Sequence, residues 1–67
     1  MHATIRATLL PEIVRLISER YGCSAEEAMD RFYASVTGAN FSDEETGLYG
    51  QSALYIYGLY VDEKENE

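Results

Sequence analysis

One cysteine, Cys23, and one histidine, His2, stand in a chain of 67 residues, and that scarcity excludes the two usual staples of a very small fold. A lone thiol closes no intrachain disulfide, and one histidine with one cysteine falls short of the four ligands of a structural zinc site. A chain near this length buries only about 60% of its unfolded surface when it folds. Stability therefore has to come from tightly packed regular elements, from association with another chain, or from both.

Apolar spacing predicts helices for the first half. Leu10, Ile13, Val14, Ile17 and Tyr21 recur at i, i+3, i+4, i+7 and i+11, the repeat of one helical face, and point to helix 1 over 8–21, with an extension before Thr8 left open as a separate, kinked turn. Thr8 is placed to cap its start, Pro11 is tolerated within the first turn, Glu12 complements the dipole, and Gly22 offers a left-handed stop. Ser24-Ala25-Glu26-Glu27 carries a capping-box pattern, in which the serine oxygen and the Glu27 carboxylate satisfy each other's backbone donors. Ala25, Ala28, Met29, Phe32 and Val36 continue the helical spacing, so helix 2 is expected over 24–36, with Glu27 and Arg31 as an i, i+4 pair. Gly22 and Cys23 make a connection short enough to fold the two helices into a hairpin.

Residues 37–51 change in character. Gly38, Asn40, Ser42, Asp43, Gly47 and Gly50 read as a loop around a short helical turn at Asp43 to Thr46, with Phe41 and Leu48 pinning it to the core. Ser52 can cap helix 3, expected over 52–64. The run from Leu54 to Val61 is also rich in strand-favouring residues, but no other stretch alternates, so a strand there could pair only with its own copy. The expectation is an all-α small three-helix domain, a helical hairpin plus a tyrosine-rich C-terminal helix.

Charge is lopsided. Residues 1–42 hold five acids against four arginines, whereas 43–67 hold seven acids against Lys64, and the formal net charge is −7. Phosphate backbones demand a basic face, so no nucleic acid is expected as a partner, while the same field favours a basic protein. Solubility alone also accounts for an acidic surface. The longest apolar stretch, Ala53 to Val61, is far shorter than the roughly 20 residues of a membrane span, so no membrane association is expected. A lone thiol and the lack of a signal-peptide pattern place the chain in the cytoplasm.

Catalytic patterns are missing. His2 lies near the terminus and Cys23 in a helix connection, so neither makes a nucleophile with an oriented base. Counting from Asp43, the sixth and twelfth positions are Leu48 and Leu54 where a calcium loop wants glycine and glutamate. Asp43 reads as a turn cap with Glu44 and Glu45 solvated beside it. Glu26, Glu27 and Asp30 occupy a helical first turn where the dipole favours carboxylates without any chemistry. No enzyme, no metal and no cofactor are expected.

Tyr49, Tyr55, Tyr57 and Tyr60 are four of the chain's six tyrosines. On a helix Tyr55, Tyr57 and Tyr60 cannot all face inward, so the segment must be covered from more than one side. Core packing, a homodimer seam and a heterologous partner site remain open for it. Gly58, inside the expected helix, costs roughly 1 kcal/mol against alanine, which close approach of another backbone would explain.

The motifs Ser24-Ala25-Glu26-Glu27-Ala28, Phe32-Tyr33-Ala34-Ser35, the run Asp43-Glu44-Glu45-Thr46-Gly47-Leu48-Tyr49-Gly50-Gln51-Ser52 and Tyr55-Ile56-Tyr57 resemble a family of short bacterial proteins of unknown function, across nearly the whole chain. Members of that family are similar to proteins encoded beside predicted toxins with an ADP-ribosyltransferase-like domain. The resemblance implies an antitoxin or accessory role and supplies no catalytic residues. Residues and resemblance together lead to a non-enzymatic, acidic protein-interaction module. Its expected partner site is Asp43, Glu44, Glu45, Gly47, Tyr49, Tyr55, Tyr57, Gly58 and Tyr60, and the alternative is a homodimeric structural module.

Overall fold

The computed structural model describes residues 2–43, 45 and 50–66, with 2–7 as backbone. The described residues form four helices, α1 (His2–Tyr21), α2 (Ala25–Tyr33), α3 (Val36–Ser42) and α4 (Ala53–Glu65). None of them lies in a strand. The class is all-α, as the spacing predicts, and Ala53 to Val61 is helical. The helix count is corrected from three to four.

Helix α1 begins at His2 rather than at residue 8, so Thr8 lies inside it, and Pro11 sits near its middle. Proline there has no N–H for the carbonyl four residues earlier, a local defect that makes the helix look shorter from sequence. Its end is the expected one. Gly22 has φ 64, the left-handed conformation that glycine adopts without a Cβ penalty. The Cys23 N–H reaches back to the Ser18 carbonyl at 3.2 Å, closing a Schellman turn, and the Ser18 hydroxyl donates to the Cys23 carbonyl at 2.6 Å.

Helix α2 starts on Ser24, whose hydroxyl oxygen accepts the Glu27 N–H at 3.1 Å. The Glu27 carboxylate turns instead to Arg31 at 3.1 Å, so only half of the capping box forms. The helix then stops at Tyr33, three residues short of its expected end. The Ser35 hydroxyl donates to the Phe32 carbonyl at 2.5 Å and accepts the Gly38 N–H at 2.9 Å, ending one helix and starting the next. That turn presses Gly38 onto α2 so closely that a Cβ on it would lie 1.8 Å from the Phe32 carbonyl oxygen. Ser35, expected inside helix 2, is therefore the cap of α3, and Gly38, which reads as a loop signal, is its contact point. Val36, expected on the buried face of helix 2, swings outward and is 65% exposed.

The four helices enclose one core of Ile13, Val14, Ile17, Ala28, Phe32, Phe41, Ile56 and Tyr60. Phe32 is at its centre, with ring centroids 5.6 Å from Phe41 and 6.1 Å from Tyr60. Tyr60 in turn meets Tyr21 edge to face at 6.0 Å, a favoured aromatic geometry. Phe41, expected to pin a loop, performs that role from within α3, and Leu48 lies outside the described residues.

Candidate functional site: the outer face of α4 and the groove beside α3

Helix α4 opens on Ser52, whose hydroxyl oxygen accepts the Tyr55 N–H at 3.1 Å. Its inward side spends Ile56 and Tyr60 in the core, with Ala53 and Tyr57 packed against it. Its outward side is left with Leu54 at 67% exposure and Tyr55 at 52%. Gly58 follows one turn later, exposed, and a Cβ added there would meet nothing within 4 Å. Asp62 continues the same face after another turn. The apolar surplus at the start of α4 is thus real but narrow, one leucine and one tyrosine beside an open glycine.

Alongside this face, α3 and α4 bound an open groove of about 470 Å³ lined by Val36, Thr37, Asn40, Leu59, Asp62, Glu63 and Asn66. Glu63 ties its two walls together. Its carboxylate accepts the Val36 N–H at 3.0 Å, the Thr37 N–H at 2.9 Å and the Thr37 hydroxyl at 2.7 Å. Burial pushes the Glu63 carboxyl up, but the Thr37 hydroxyl, the Thr37 and Val36 amides and Lys64 together outweigh it and hold the group below its ordinary value. A carboxylate accepting several hydrogen bonds behaves in this way. Glu63 therefore caps the start of α3 from across the molecule.

The neighbouring acids differ in how they are used. Glu65 pairs with Arg20. That guanidinium has its pKa raised, first by a side-chain hydrogen bond with Tyr57 and then by Glu65, which places Tyr57 on the α1 side of the helix. Asp62 takes only a long side-chain hydrogen bond, 3.4 Å, from Asn66, and its carboxylate stays exposed at the groove's edge.

Of the nine residues expected to form a partner site, Tyr55 and Gly58 share the exposed face of α4. Tyr57 is half-buried toward α1, and Tyr60 is 2% exposed, fully in the core. Burial raises the Tyr60 hydroxyl pKa, and Lys64 pulls it partway back. Tyr60 thus cannot serve as a surface anchor, because the hairpin and α4 need its ring to fill the space between Tyr21 and Phe32. Asp43 and Glu45 are exposed after α3, and the Asp43 carboxylate accepts the Glu45 N–H at 2.9 Å, a local turn contact. Glu44, Gly47 and Tyr49 lie outside the described residues. Leu59, Asp62 and Glu63 line the groove with no sequence pattern to mark them, and Val36 joins them although its spacing marks it as core.

A second cleft of about 350 Å³ lies between Tyr21, Arg31, Ala34, Tyr60 and Lys64. The ends of α1 and α2 meet there, and cations near helix C-termini complement the dipoles. Among the described residues no three histidine, cysteine or acidic side chains group as a metal site. No described helix is long and apolar enough to cross a membrane. The chain matches no family model, no curated protein sequence and no solved structure.

Proposed function

We propose that this chain is a non-enzymatic, acidic protein-interaction module that binds a basic protein along the outer face of α4. The carrying observation is Leu54 and Tyr55, adjacent, large and more than half exposed. Fully burying side chains of this class is worth roughly 1.5–3 kcal/mol each. Tyrosine adds a stiff ring with a polar tip, the type of side chain that recurs at interface centres. The surplus of acids in the C-terminal third steers a basic partner toward this face and disfavours nucleic acid. A role as antitoxin or accessory partner of a toxin, in the cytoplasm, fits this module; it draws on the family resemblance and on the lone thiol.

The test is reconstitution. The tagged chain is purified from its own cell, the protein retained with it is produced separately, and the pair is titrated at two salt concentrations. Expected are a defined complex that weakens as salt rises and its loss in the Leu54→Asp/Tyr55→Ser double variant, with helicity by circular dichroism unchanged. Equal retention by wild type and double variant would sink the reading. The second reading, a homodimer, rests on the same open Gly58, since two α4 helices could approach closely there. Light scattering across concentration separates the two: a stable dimer abolished by the same double variant favours self-association.

A further inference from the structure

The side chains along one edge of α4 differ in kind from end to end. Tyr55 stands at one end, Leu59 follows one turn later, and Asp62 comes seven residues after Tyr55. At the helical rise that separation is about 10.5 Å. Val36, 65% exposed, faces Leu59 across the groove. The edge therefore runs from an aromatic platform, past two aliphatic walls, to a carboxylate. Asp62 is the acid of this edge with capacity to spare, since Glu63 is engaged by Thr37 and Val36 and Glu65 by Arg20.

We propose that the groove between α3 and α4 receives an arginine of a basic helical segment of the partner protein. The alkyl stem lies on Val36 and Leu59, the guanidinium pairs with the Asp62 carboxylate, and an apolar residue seven positions away in the partner rests on Tyr55. This deepens the proposed function and rests on it. A long basic side chain matches such a surface in both parts, because its stem covers apolar walls while its head stays with an anion. Arginine fits better than lysine, because its planar fork engages a carboxylate with two parallel hydrogen bonds. A helix is the natural carrier, because a groove along a helix pair is read by anchors at i and i+7.

The described cations of a second copy are engaged within that copy. Among the described side chains, Arg15 pairs with Glu12 and Glu19, Arg20 with Glu65 and Arg31 with Glu27, and Lys64 lines the cleft with Tyr21 and Tyr60. Two copies each of formal charge −7 also repel.

The probe is a synthetic alanine-based helical peptide carrying leucine and, seven residues on, arginine. It is titrated into the full chain at low salt with amide NMR detection. Expected are shifts at Val36, Leu59 and Asp62, with at least a tenfold loss of affinity when the arginine is replaced by neutral citrulline. Asp62→Asn, at an exposed position and with helicity checked by circular dichroism, gives a similar loss. Combining citrulline with Asp62→Asn adds little further, the signature of a direct pair. Moving the arginine two positions along the peptide, onto its other face, also costs about tenfold.

Absence of binding to the peptide overturns the inference, as does an Asp62→Asn effect below twofold. So does binding in which leucine matters and arginine does not. In each of these cases the reconstituted complex, with its dependence on Leu54 and Tyr55, judges the broader function separately. Shifts confined to a self-associated form, seen equally without peptide, would assign the face to a second copy instead.

Discussion

The α1–α2 hairpin and the α3–α4 half of the molecule share one core but are held in place by different means. Each boundary of the hairpin connection is set by residues within a few positions: Gly22 at φ 64, Ser18 reaching Cys23, Ser24 capping Glu27. The α3–α4 half has local serine caps as well, at Ser35 and Ser52, but is tied together by contacts distant in sequence. Glu63 caps a helix that starts 27 residues earlier, and Phe41 and Tyr60 both pack against Phe32. Local signals fix a helix end by themselves, whereas a distant clamp works only once the chain is already folded. The second half should therefore be the easier to detach.

The largest expected effect compares a glycine at each turn, Gly38 between α2 and α3 and Gly22 between α1 and α2. Gly38→Ala places a methyl 1.8 Å from the Phe32 carbonyl oxygen, and backbone cannot yield as a side chain tip can. The cost is on the order of 3 kcal/mol or more, against a total of roughly 3–10 kcal/mol for a domain this size. Urea unfolding followed by circular dichroism should show loss of a cooperative transition. Gly22→Ala meets no atom within 4 Å and suffers only its positive φ, a cost of about 1 kcal/mol. A Gly38→Ala variant no less stable than Gly22→Ala would break the distinction between a turn closed by backbone contact and one set by φ alone.

Glu63 carries the next effect. Glu63→Ala leaves the Val36 and Thr37 amides without their carboxylate, for a loss of about 1–2 kcal/mol given its partial exposure. Its folded pKa is lowered, so the unfolded chain holds the proton more readily. The contribution is full above the ordinary value of 4.5 and drains as pH falls below it through the folded value. Urea midpoints measured from pH 6 to pH 3 should fall less steeply for Glu63→Gln than for wild type. Amide exchange should quicken first across α3 and leave the α1–α2 turn protected. An unchanged pH slope in Glu63→Gln would mean that other carboxylates govern the acid limb.

The same division explains what was legible in the sequence. Helical faces with regular spacing, Ile13, Val14 and Ile17 in α1 and Ala28 and Phe32 in α2, reveal their burial directly. Gly22 and Ser24 announce their turn because glycine and serine act there through neighbours. Ser35 caps α3 as Ser24 caps α2, but Gly38 differs from Gly22 in purpose: it is required by close contact with the Phe32 carbonyl six residues earlier, which residue type and spacing do not announce. Val36 misleads for the same reason: it extends the spacing of α2 although the chain has already turned. Helix α1 is underestimated because Pro11 weakens a local pattern that packing restores. At the candidate site, Tyr55 and Gly58 stand out by composition, whereas Asp62 and Glu63 are one acid pair in sequence and acquire different roles only when α3 arrives beside them.

Gly58 gives the smallest effect on stability and the sharpest on interpretation. Among the described residues nothing approaches its missing Cβ, so Gly58→Ala should stabilise the isolated protein by about 1 kcal/mol through helix propensity alone. That raises the melting temperature by about 4–8 °C for a domain of this size. A glycine left in a helix interior at that cost is explained if another backbone comes close to it when the face is covered. The methyl should then weaken the partner complex while strengthening the free chain. Calorimetry on the reconstituted complex, set beside the melt, reads both signs. A variant that melts higher and binds as well as wild type would show that the partner reaches Leu54 and Tyr55 without crossing close to Gly58. Weaker binding at higher stability would fix the point where the partner backbone crosses α4.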